Sequence, residues 1–289
     1  MSGRIRVVTD SVSDLSSTLA QRWGIRVVPV YFSLNGQSYR DDGTVDHGWF
    51  NEQLLNRHAL PQTAAPSVGD FLQVYEQLCD EGAEQIVTLY LDAQLSSLIQ
   101  HAQRAAEMVE DVSVHILETG QVTMGQGWLV VEAAEAAAQG ASVAEIRRLL
   151  ARQRRRTFVI GALASLDYLQ RSGRVGWVKA QIGDRLNFKP LIGYHEGEAR
   201  LLGRVRTARR AVDWLERWVE RAAPFKRLAL LHTGYALEAL ERLGETLAPY
   251  ALDGTVPTVE AGPVFSTHVG PGAVGIAGMQ AEAAKPIRW

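Results

Sequence analysis

The sequence is poor in the residues that build metal centres and disulfide frameworks. Cys79 is the only cysteine among 289 residues, so the chain can form neither an internal disulfide nor a thiolate metal cluster. It belongs to an apolar periodic run, where a buried thiol is the expected role. The seven histidines are scattered without the spacing of metal ligands. We therefore expect no metal and no cofactor.

Several other signatures are missing. No run of about 18 apolar residues is present, which predicts that the chain has no transmembrane segment. The first residues lead into a strand without an apolar export segment, and this predicts a cytoplasmic protein. Neither the phosphate-binding loop Gly-x-x-x-x-Gly-Lys-Ser/Thr nor the nucleophile turn Gly-x-Ser-x-Gly occurs. A net charge of −2 offers no basic excess, so we expect no nucleic-acid partner.

The composition is that of a folded protein with a sizeable core. Hydrophobic residues make up 46% and charged residues 21% of the chain, and its length suits two domains. In the first half, strands alternate with helices, a rhythm typical of a mostly parallel sheet. The second half has paired strands of mixed-sheet character. The predicted fold class is α/β, with an N-terminal α/β domain at 1–155, a C-terminal mixed α/β domain at 156–280 and a loose tail at 281–289.

Three local predictions bear on the site. Residues 25–34 form a β-branched and aromatic run that predicts a single strand. Residues 178–186 have a helical pattern. Residues 263–267 are β-prone and predict a strand that leads directly to His268.

Three loops carry hydroxyl groups and open helices: Thr9-Asp10-Ser11, the segment from Thr63 to Ser67, and Ser96-Ser97. Loops of this kind gather at the carboxyl edge of a parallel sheet, where ligands bind, and helix N-termini there present free N–H groups to anions. Each hydroxyl taken singly is also explained as a helix N-cap. Together the loops predict a site for an anion or a polar head group.

A single histidine precedes a stiff turn near the end of the chain. His268 is followed by Gly270-Pro271-Gly272, where the glycines permit positive φ and the proline fixes the turn. Such a loop suits an anion, although a tight turn with an incidental histidine explains the pattern equally well. Arg174, Lys189, Arg204 and Arg206 form a basic set that either pairs with a phosphate or carboxylate or is simply solvated.

Short motifs follow one another along the chain in a fixed order. They are Thr9-Asp10-Ser11 with Asp14-Leu15, 61–67, Leu95-Ser96, 124–127, 166–169 with 173–175, 186–191, Arg204-Val205-Arg206, and His268 with Gly270-Pro271-Gly272. As an ordered set they resemble the DegV family, the bacterial fatty-acid-binding proteins that serve a fatty acid kinase. The match covers roughly residues 4 to 278. Departures occur at Ala64, where the family has a second hydroxyl, and at Ser97 and Leu98, where it has Gly-Thr.

The resemblance implies a two-domain α/β protein with one long-chain fatty acid between the domains. It implies that Thr63 and Ser96 hydrogen-bond the carboxylate with His268, and that Arg174 and Arg206 complete the polar end or contact a partner. The partner would be a separate kinase subunit that phosphorylates the bound acid to acyl phosphate, so the carrier itself would not be an enzyme. A transient contact with a membrane surface belongs to the same expectation.

Two other classes of function stay open from the residues alone. One is a hydrolase of lipids or esters in which Ser96 or Ser11 is the nucleophile and His268 the base. The other is a regulatory module that binds a phosphorylated small molecule through the arginines.

Overall fold

The computed structural model describes residues 4–55, 61–174, 178–179 and 188–287, with the side chains of 178 and 179 outside the description. The strands are β1 (Ile5–Asp10), β2 (Arg26–Val28), β3 (Tyr31–Leu34), β4 (Gln37–Arg40), β5 (Gln62–Ala64), β6 (Gln85–Tyr90), β7 (Ser113–Glu118), β8 (Thr157–Ala162), β9 (Val178–Lys179), β10 (Lys189–His195), β11 (Glu198–Val205), β12 (Phe225–His232), β13 (Thr258–Glu260) and β14 (Val274–Gln280). The helices are α1 (Ser17–Trp23), α2 (His47–Leu55), α3 (Val68–Asp80), α4 (Leu98–Ala106), α5 (Thr123–Ala138), α6 (Val143–Arg154), α7 (Asp167–Arg171), α8 (Ala208–Ala222), α9 (Leu237–Leu247) and α10 (Pro263–Val269).

The first half builds a parallel sheet in the order β2-β1-β6-β7. Hydroxyl side chains start its helices as the sequence predicts. Ser67 caps α3 and Ser142 caps α6, each in a capping box with an acidic residue three positions later, Asp70 and Glu145. The α/β fold class is confirmed.

The second half builds a seven-stranded mixed sheet in the order β13-β12-β14-β8-β10-β11-β9. Its four central pairings, from β12 to β11, are antiparallel, whereas the pairings of β13 and β9 at the edges are parallel. Helices α8 and α9 pack on one face of this sheet, over a cluster that contains Phe158, Leu215 and Leu230. The other face is turned towards the first half.

Helix α5 lies between the two large sheets. It contacts β1 on one side and β8 and β14 on the other, and nearly all of its residues are buried. The indole N–H of Trp128 donates to the carbonyl of Ala277 at 3.3 Å, and Glu132 pairs with Lys226 and Arg227. The larger hydrophobic core therefore contains residues from both halves of the chain.

A small antiparallel sheet, β4-β3-β5, lies beside the parallel sheet. The predicted single strand over 25–34 is in fact two strands, β2 and β3, in two different sheets. Pro29 lies between them and has no N–H to donate to a ladder. Strand β5 carries Thr63, which pairs with Phe32 of β3.

The structure corrects the prediction for residues 263–267. They form helix α10 rather than a strand, with Gly262 as N-cap and Pro263 at the first helical position, where a missing N–H is harmless. The strand in this region is β14, which lies at the centre of the large sheet. The predicted helix at 178–186 is wrong at Val178–Lys179, which form a strand, and its remainder lies outside the described residues.

All strands of the parallel sheet precede residue 155 and all strands of the seven-stranded sheet follow residue 156, but the division into two domains stays a prediction. The expected tail holds no helix or strand over 281–287. Arg156 donates to the carbonyl of Ala281 at 2.8 Å, and Gln280 donates to that of Lys285 at 2.9 Å. Within the described residues, the helices are too short or too polar to cross a membrane.

Candidate ligand-binding cavity

A mostly apolar cavity of about 240 Å³ lies between the carboxyl edge of the parallel sheet and the inner face of the seven-stranded sheet. Val12, Leu91 and Val122 line it from segments that follow β1, β6 and β7. The opposite wall comes from β8, β10, β12 and β14, and α10 covers one side. The carboxyl edge is where open α/β sheets bind ligands, because the loops that follow the strands meet there.

The polar residues of the cavity include the hydroxyl loop and the histidine predicted from the sequence. Thr63 Oγ1 of β5 lies 3.3 Å from Nε2 of His268, at the last turn of α10. Their separation in sequence is 205 residues, so only the tertiary fold brings them together. His268 Nδ1 is buried and has no hydrogen-bond partner among the described residues.

Burial, and to a smaller extent the positive charge of Arg174, lower the pKa of His268 to about 4. The imidazole is therefore neutral at pH 7. A neutral imidazole donates through one ring nitrogen and accepts through the other. It can hold a carboxylate by one N–H without placing a second buried charge in the cavity.

Ser96 and Arg174 line the same cavity. Ser96 Oγ accepts a hydrogen bond from the backbone N–H of Leu98 at 3.2 Å, so its hydroxyl proton remains available for a ligand oxygen. Arg174 Nη1 donates to the carbonyl of Ser172 at 2.6 Å, which orients the guanidinium. Of the predicted residues, Thr63, Ser96, Arg174 and His268 are brought to one cavity.

Arg206 is not among the residues that line the cavity. Its guanidinium lies 5.5 Å from the ring centre of Phe188, which is partly exposed. Its role as a contact for a partner stays a prediction.

The first hydroxyl loop has a structural role that differs from the predicted anion site. Thr9 Oγ1 donates to the carbonyl of Leu89 at 2.8 Å, and Ser11 Oγ donates to the carboxylate of Asp41 at 3.1 Å. Asp10 caps the turn at 11–13 and accepts from Gln126 Nε2 at 2.9 Å. This loop therefore lies behind the cavity wall and supports it.

Three buried carboxyl groups meet at that place: Asp10, Asp14 and Asp41. Asp14 accepts from the hydroxyl of Thr123 and from the backbone N–H of Gly262, the N-cap of α10. Burial raises the pKa of Asp10 to about 6 and those of Asp14 and Asp41 to about 7. The sequence pattern does not predict this cluster, because Asp41 comes from a loop after β4 whose approach to β1 depends on the tertiary fold.

A buried contact between Tyr194 and Asp92, which the sequence pattern does not predict either, lies beside the cavity near the end of β7. Tyr194 of β10 lines the cavity, and its hydroxyl donates to the carboxylate of Asp92 at 3.2 Å. Asp92 also accepts from the backbone N–H of Gly120 at 3.0 Å. This contact links the two large sheets.

The turn that follows His268 is fixed by close packing. Gly270 has φ +78°, and a Cβ placed on it would lie 2.2 Å from the ring of Tyr168. The Tyr168 hydroxyl donates to the carbonyl of Leu54 at 2.6 Å and so connects α7 to the end of α2. Only glycine fits at position 270, on grounds of both space and backbone conformation.

The fold and the cavity define a class: an α/β protein with a mostly apolar cavity between two facing sheets and a few polar side chains in its lining. The sequence model of the DegV family, described as an uncharacterised protein family, matches residues 4–280. The chain belongs to the DegV family, as its motifs indicated.

Relatives and solved structures agree with this assignment. A DegV domain-containing protein of Caldanaerobacter subterraneus subsp. tengcongensis is 30% identical over 94% of this chain and 98% of its own length. A DegV family protein from Thermus thermophilus, described as binding fatty acid, is 33% identical to this chain. Its structure superposes with a TM-score of 0.86 and covers 96% of this chain and 100% of its own. DegV of Bacillus subtilis, a fatty acid binding protein, is 25% identical with a TM-score of 0.85 over 97% and 100%.

Proposed function

We propose that this protein binds one long-chain fatty acid in the cavity and presents its carboxylate to a separate kinase subunit, which phosphorylates it to acyl phosphate. The observation that carries the proposal is that a mostly apolar lining and the polar side chains of Thr63, Ser96, Arg174 and His268 share one cavity. The related proteins of Thermus thermophilus and Bacillus subtilis are described as fatty acid binding. In this proposal the protein is a cytoplasmic carrier without a reaction of its own.

The two parts of the cavity contribute differently to binding. Burial of a sixteen-carbon tail at about 0.8 kcal/mol per methylene supplies on the order of 10 kcal/mol before the cost of association. A carboxylate buried without hydrogen bonds would cost several kcal/mol. The tail therefore provides affinity, whereas the hydroxyls of Thr63 and Ser96 and the neutral imidazole of His268 remove the penalty and orient the reacting oxygen. Arg174 supplies the compensating charge.

Contact with the kinase subunit requires an exposed region beside the polar end. Arg206, stacked over the partly exposed Phe188, is the residue that we assign to this contact. A stacked guanidinium presents its N–H groups sideways, in the geometry that suits a carboxylate or phosphate of a partner. A transient contact with a membrane surface would deliver the acid.

The hydrolase alternative gains no support from the geometry. His268 Nε2 is paired with Thr63 Oγ1, and the hydroxyl of Ser11 donates to Asp41. The regulatory alternative, a module that binds a phosphorylated small molecule, is distinguished by the test below, which identifies the bound ligand.

The test is native mass spectrometry of the purified protein together with an acyl phosphate assay in the presence of the kinase subunit and ATP. We expect the wild type to carry one C14–C18 acid. We expect Ser96→Ala to retain the acid, because the tail dominates affinity, while acyl phosphate formation falls at least tenfold. An empty cavity with esterase turnover, or a phosphorylated ligand instead of a fatty acid, would contradict the proposal.

Ser38→Ala is the control, because Ser38 is an exposed hydroxyl of β4 that does not line the cavity. Its acyl phosphate formation should stay near the wild-type rate. Loss of all bound lipid from Ser96→Ala alone would show that the hydroxyl, and not the tail, governs affinity.

A further inference from the structure

A row of five residues crosses the face of the large sheet that is turned to the cavity. Leu231 of β12 pairs with Gly275 of β14, Gly275 with Gly161 of β8, and Gly161 with Ile192 of β10. Ile192 in turn pairs with Leu201 of β11. Cross-strand partners point to the same face, so the two central positions of the row have no side chain, whereas both flanks carry a large aliphatic one.

Gly161 and Gly275 line the cavity, and the nearest atoms around each position belong to the backbone rather than to a side chain. The three atoms nearest to a Cβ built on Gly161 are all backbone, the closest being the Val274 carbonyl oxygen at 3.2 Å. The same holds at Gly275, where the Ile160 carbonyl oxygen lies at 2.7 Å. Gly278 of the same strand is different, because a Cβ there would meet the ring of Phe158 at 2.4 Å. Gly278 makes room for a neighbour, while Gly161 and Gly275 open onto the cavity.

Backbone conformation does not explain the two glycines, since neither adopts positive φ. Glycine inside a strand weakens it and often marks a place where a ligand approaches the backbone closely. Adjacent strands are about 4.8 Å apart, and carbon atoms in contact lie about 4 Å apart. The trough between Leu231 and Ile192 is therefore wide enough for one unbranched alkyl chain in contact with bare backbone.

We propose that the backbone at Gly161 and Gly275 forms the surface that the acyl chain contacts. We further propose that the absence of a side chain at position 161 determines the length of the acid that fits. The ligand class is a long, unbranched acyl chain that lies over the two glycines, with the side chains of Leu231 and Ile192 on either side of it. This inference rests on the proposed function and adds to it the residues that select the chain.

The test compares the acids that co-purify with the wild type and with Gly161→Ala, identified by mass spectrometry after extraction. Alanine is compatible with the backbone of residue 161, and its Cβ requires a shift of a few tenths of an ångström from Val274. We expect the main acid to become at least two carbons shorter, and the affinity for a C18 acid to fall at least tenfold. Gly275 is unsuitable for this test, because its Cβ would press on the Ile160 carbonyl.

Two further variants complete the experiment. Ile192→Ala widens the trough at one flank and should shift the bound acids to longer chains. Combined with Gly161→Ala in a double variant, it should restore binding of a C18 acid. Gly203→Ala on β11 is the control, since position 203 does not line the cavity and its Cβ would only touch Leu191 at 3.4 Å.

The outcomes separate the two proposals. A wild type without any fatty acid would refute the proposed function. A wild type that carries a fatty acid, with an unchanged length distribution in Gly161→Ala or in Ile192→Ala, would refute the inference alone. If Gly161→Ala does not fold, the shift to longer chains in Ile192→Ala still decides the matter.

Discussion

The imidazole of His268 is neutral because it is largely buried and because the guanidinium of Arg174 lies near it. Burial and the charge of Arg174 both disfavour protonation, which brings the pKa of His268 to about 4. In the proposed function, a protonated imidazole would bind a carboxylate strongly but would also withdraw negative charge from the oxygen that attacks the phosphate. A neutral donor beside Thr63 would position the carboxylate and leave that charge on the attacking oxygen.

His268→Ala is expected to keep the fatty acid and to lower acyl phosphate formation. Removal of one hydrogen bond to a charged ligand costs about 1.5–3 kcal/mol, which corresponds to roughly a 10- to 100-fold lower rate. The melting temperature should change little, since His268 Nδ1 has no partner among the described residues and the turn is held by Gly270 against Tyr168. The measurements are the acyl phosphate rate with the kinase subunit and a thermal melt.

His268→Gln serves as the control, because its amide can donate towards the same space. It should recover part of the rate. A large fall in melting temperature with an unchanged rate would instead assign His268 a purely structural role in the turn.

Helix α10 is the element that connects the acid cluster to the ligand. Its N-cap, Gly262, donates its N–H to Asp14, and its last turn carries His268. A Cβ on Gly262 would lie 3.1 Å from both carboxylate oxygens of Asp41. The start of the helix is therefore packed against Asp14 and Asp41, which form no ion pair with a cationic side chain among the described residues and whose pKa values are raised to about 7.

This cluster predicts a loss of stability as the pH rises through neutrality. The pKa of Asp41 is raised from 3.8 to about 7, so the folded state binds its proton more tightly than the unfolded state does. The stabilisation is complete below pH 3.8 and is lost as the pH rises through 7. Each pKa unit corresponds to about 1.4 kcal/mol. The side chain in Asp41→Asn carries no titratable proton. The melting temperature of this variant should therefore increase relative to that of the wild type as the pH rises from 6.5 to 8.5.

The pH range is chosen so that the histidine does not interfere. The pKa of His268 is lowered, so its contribution is complete above pH 6.5 and is lost only as the pH falls towards 4. Asp42→Asn, at the exposed neighbouring carboxyl, is the matched control and should follow the wild type over this range. Parallel melting curves for Asp41→Asn and the wild type at every pH would show that Asp41 does not titrate with folding.

At the scale of elements, the sequence predicts most of the chain because capping residues and periodicity mark the boundaries. The exceptions have physical reasons. Helix α10 is buried on nearly every side, so it shows no amphipathic period, and its β-branched residues favour a strand. Strand β14 contains two glycines at positions where the sheet needs space rather than side chains, and this hides its strand character.

At the scale of the whole molecule, the candidate site depends on sheet order. The ordered motifs predict Thr63, Ser96, Arg174 and His268, and the fold brings all four to one cavity. Other features depend on pairings that a single sequence does not specify. The glycine row exists only because β14 inserts between β12 and β8, and the Tyr194–Asp92 contact exists only because β10 faces the end of β6.

Because the cavity wall comes from both large sheets, a bound acid is expected to stabilise the molecule as a unit. Ligand at one hundred times its dissociation constant adds about 2.7 kcal/mol, which for a chain of this size corresponds to roughly 5 °C in melting temperature. We therefore expect delipidated protein to melt at least this much lower than protein reloaded with a C16 acid. Octanoic acid, which has fewer than half as many methylenes to bury, should give little or no shift at the same concentration. Tyr194→Phe should lower the melting temperature of both forms while the increment from the C16 acid persists, since the Asp92 contact joins the sheets independently of the ligand. Equal melting temperatures of the delipidated and reloaded forms would show that the acid does not bind between the sheets.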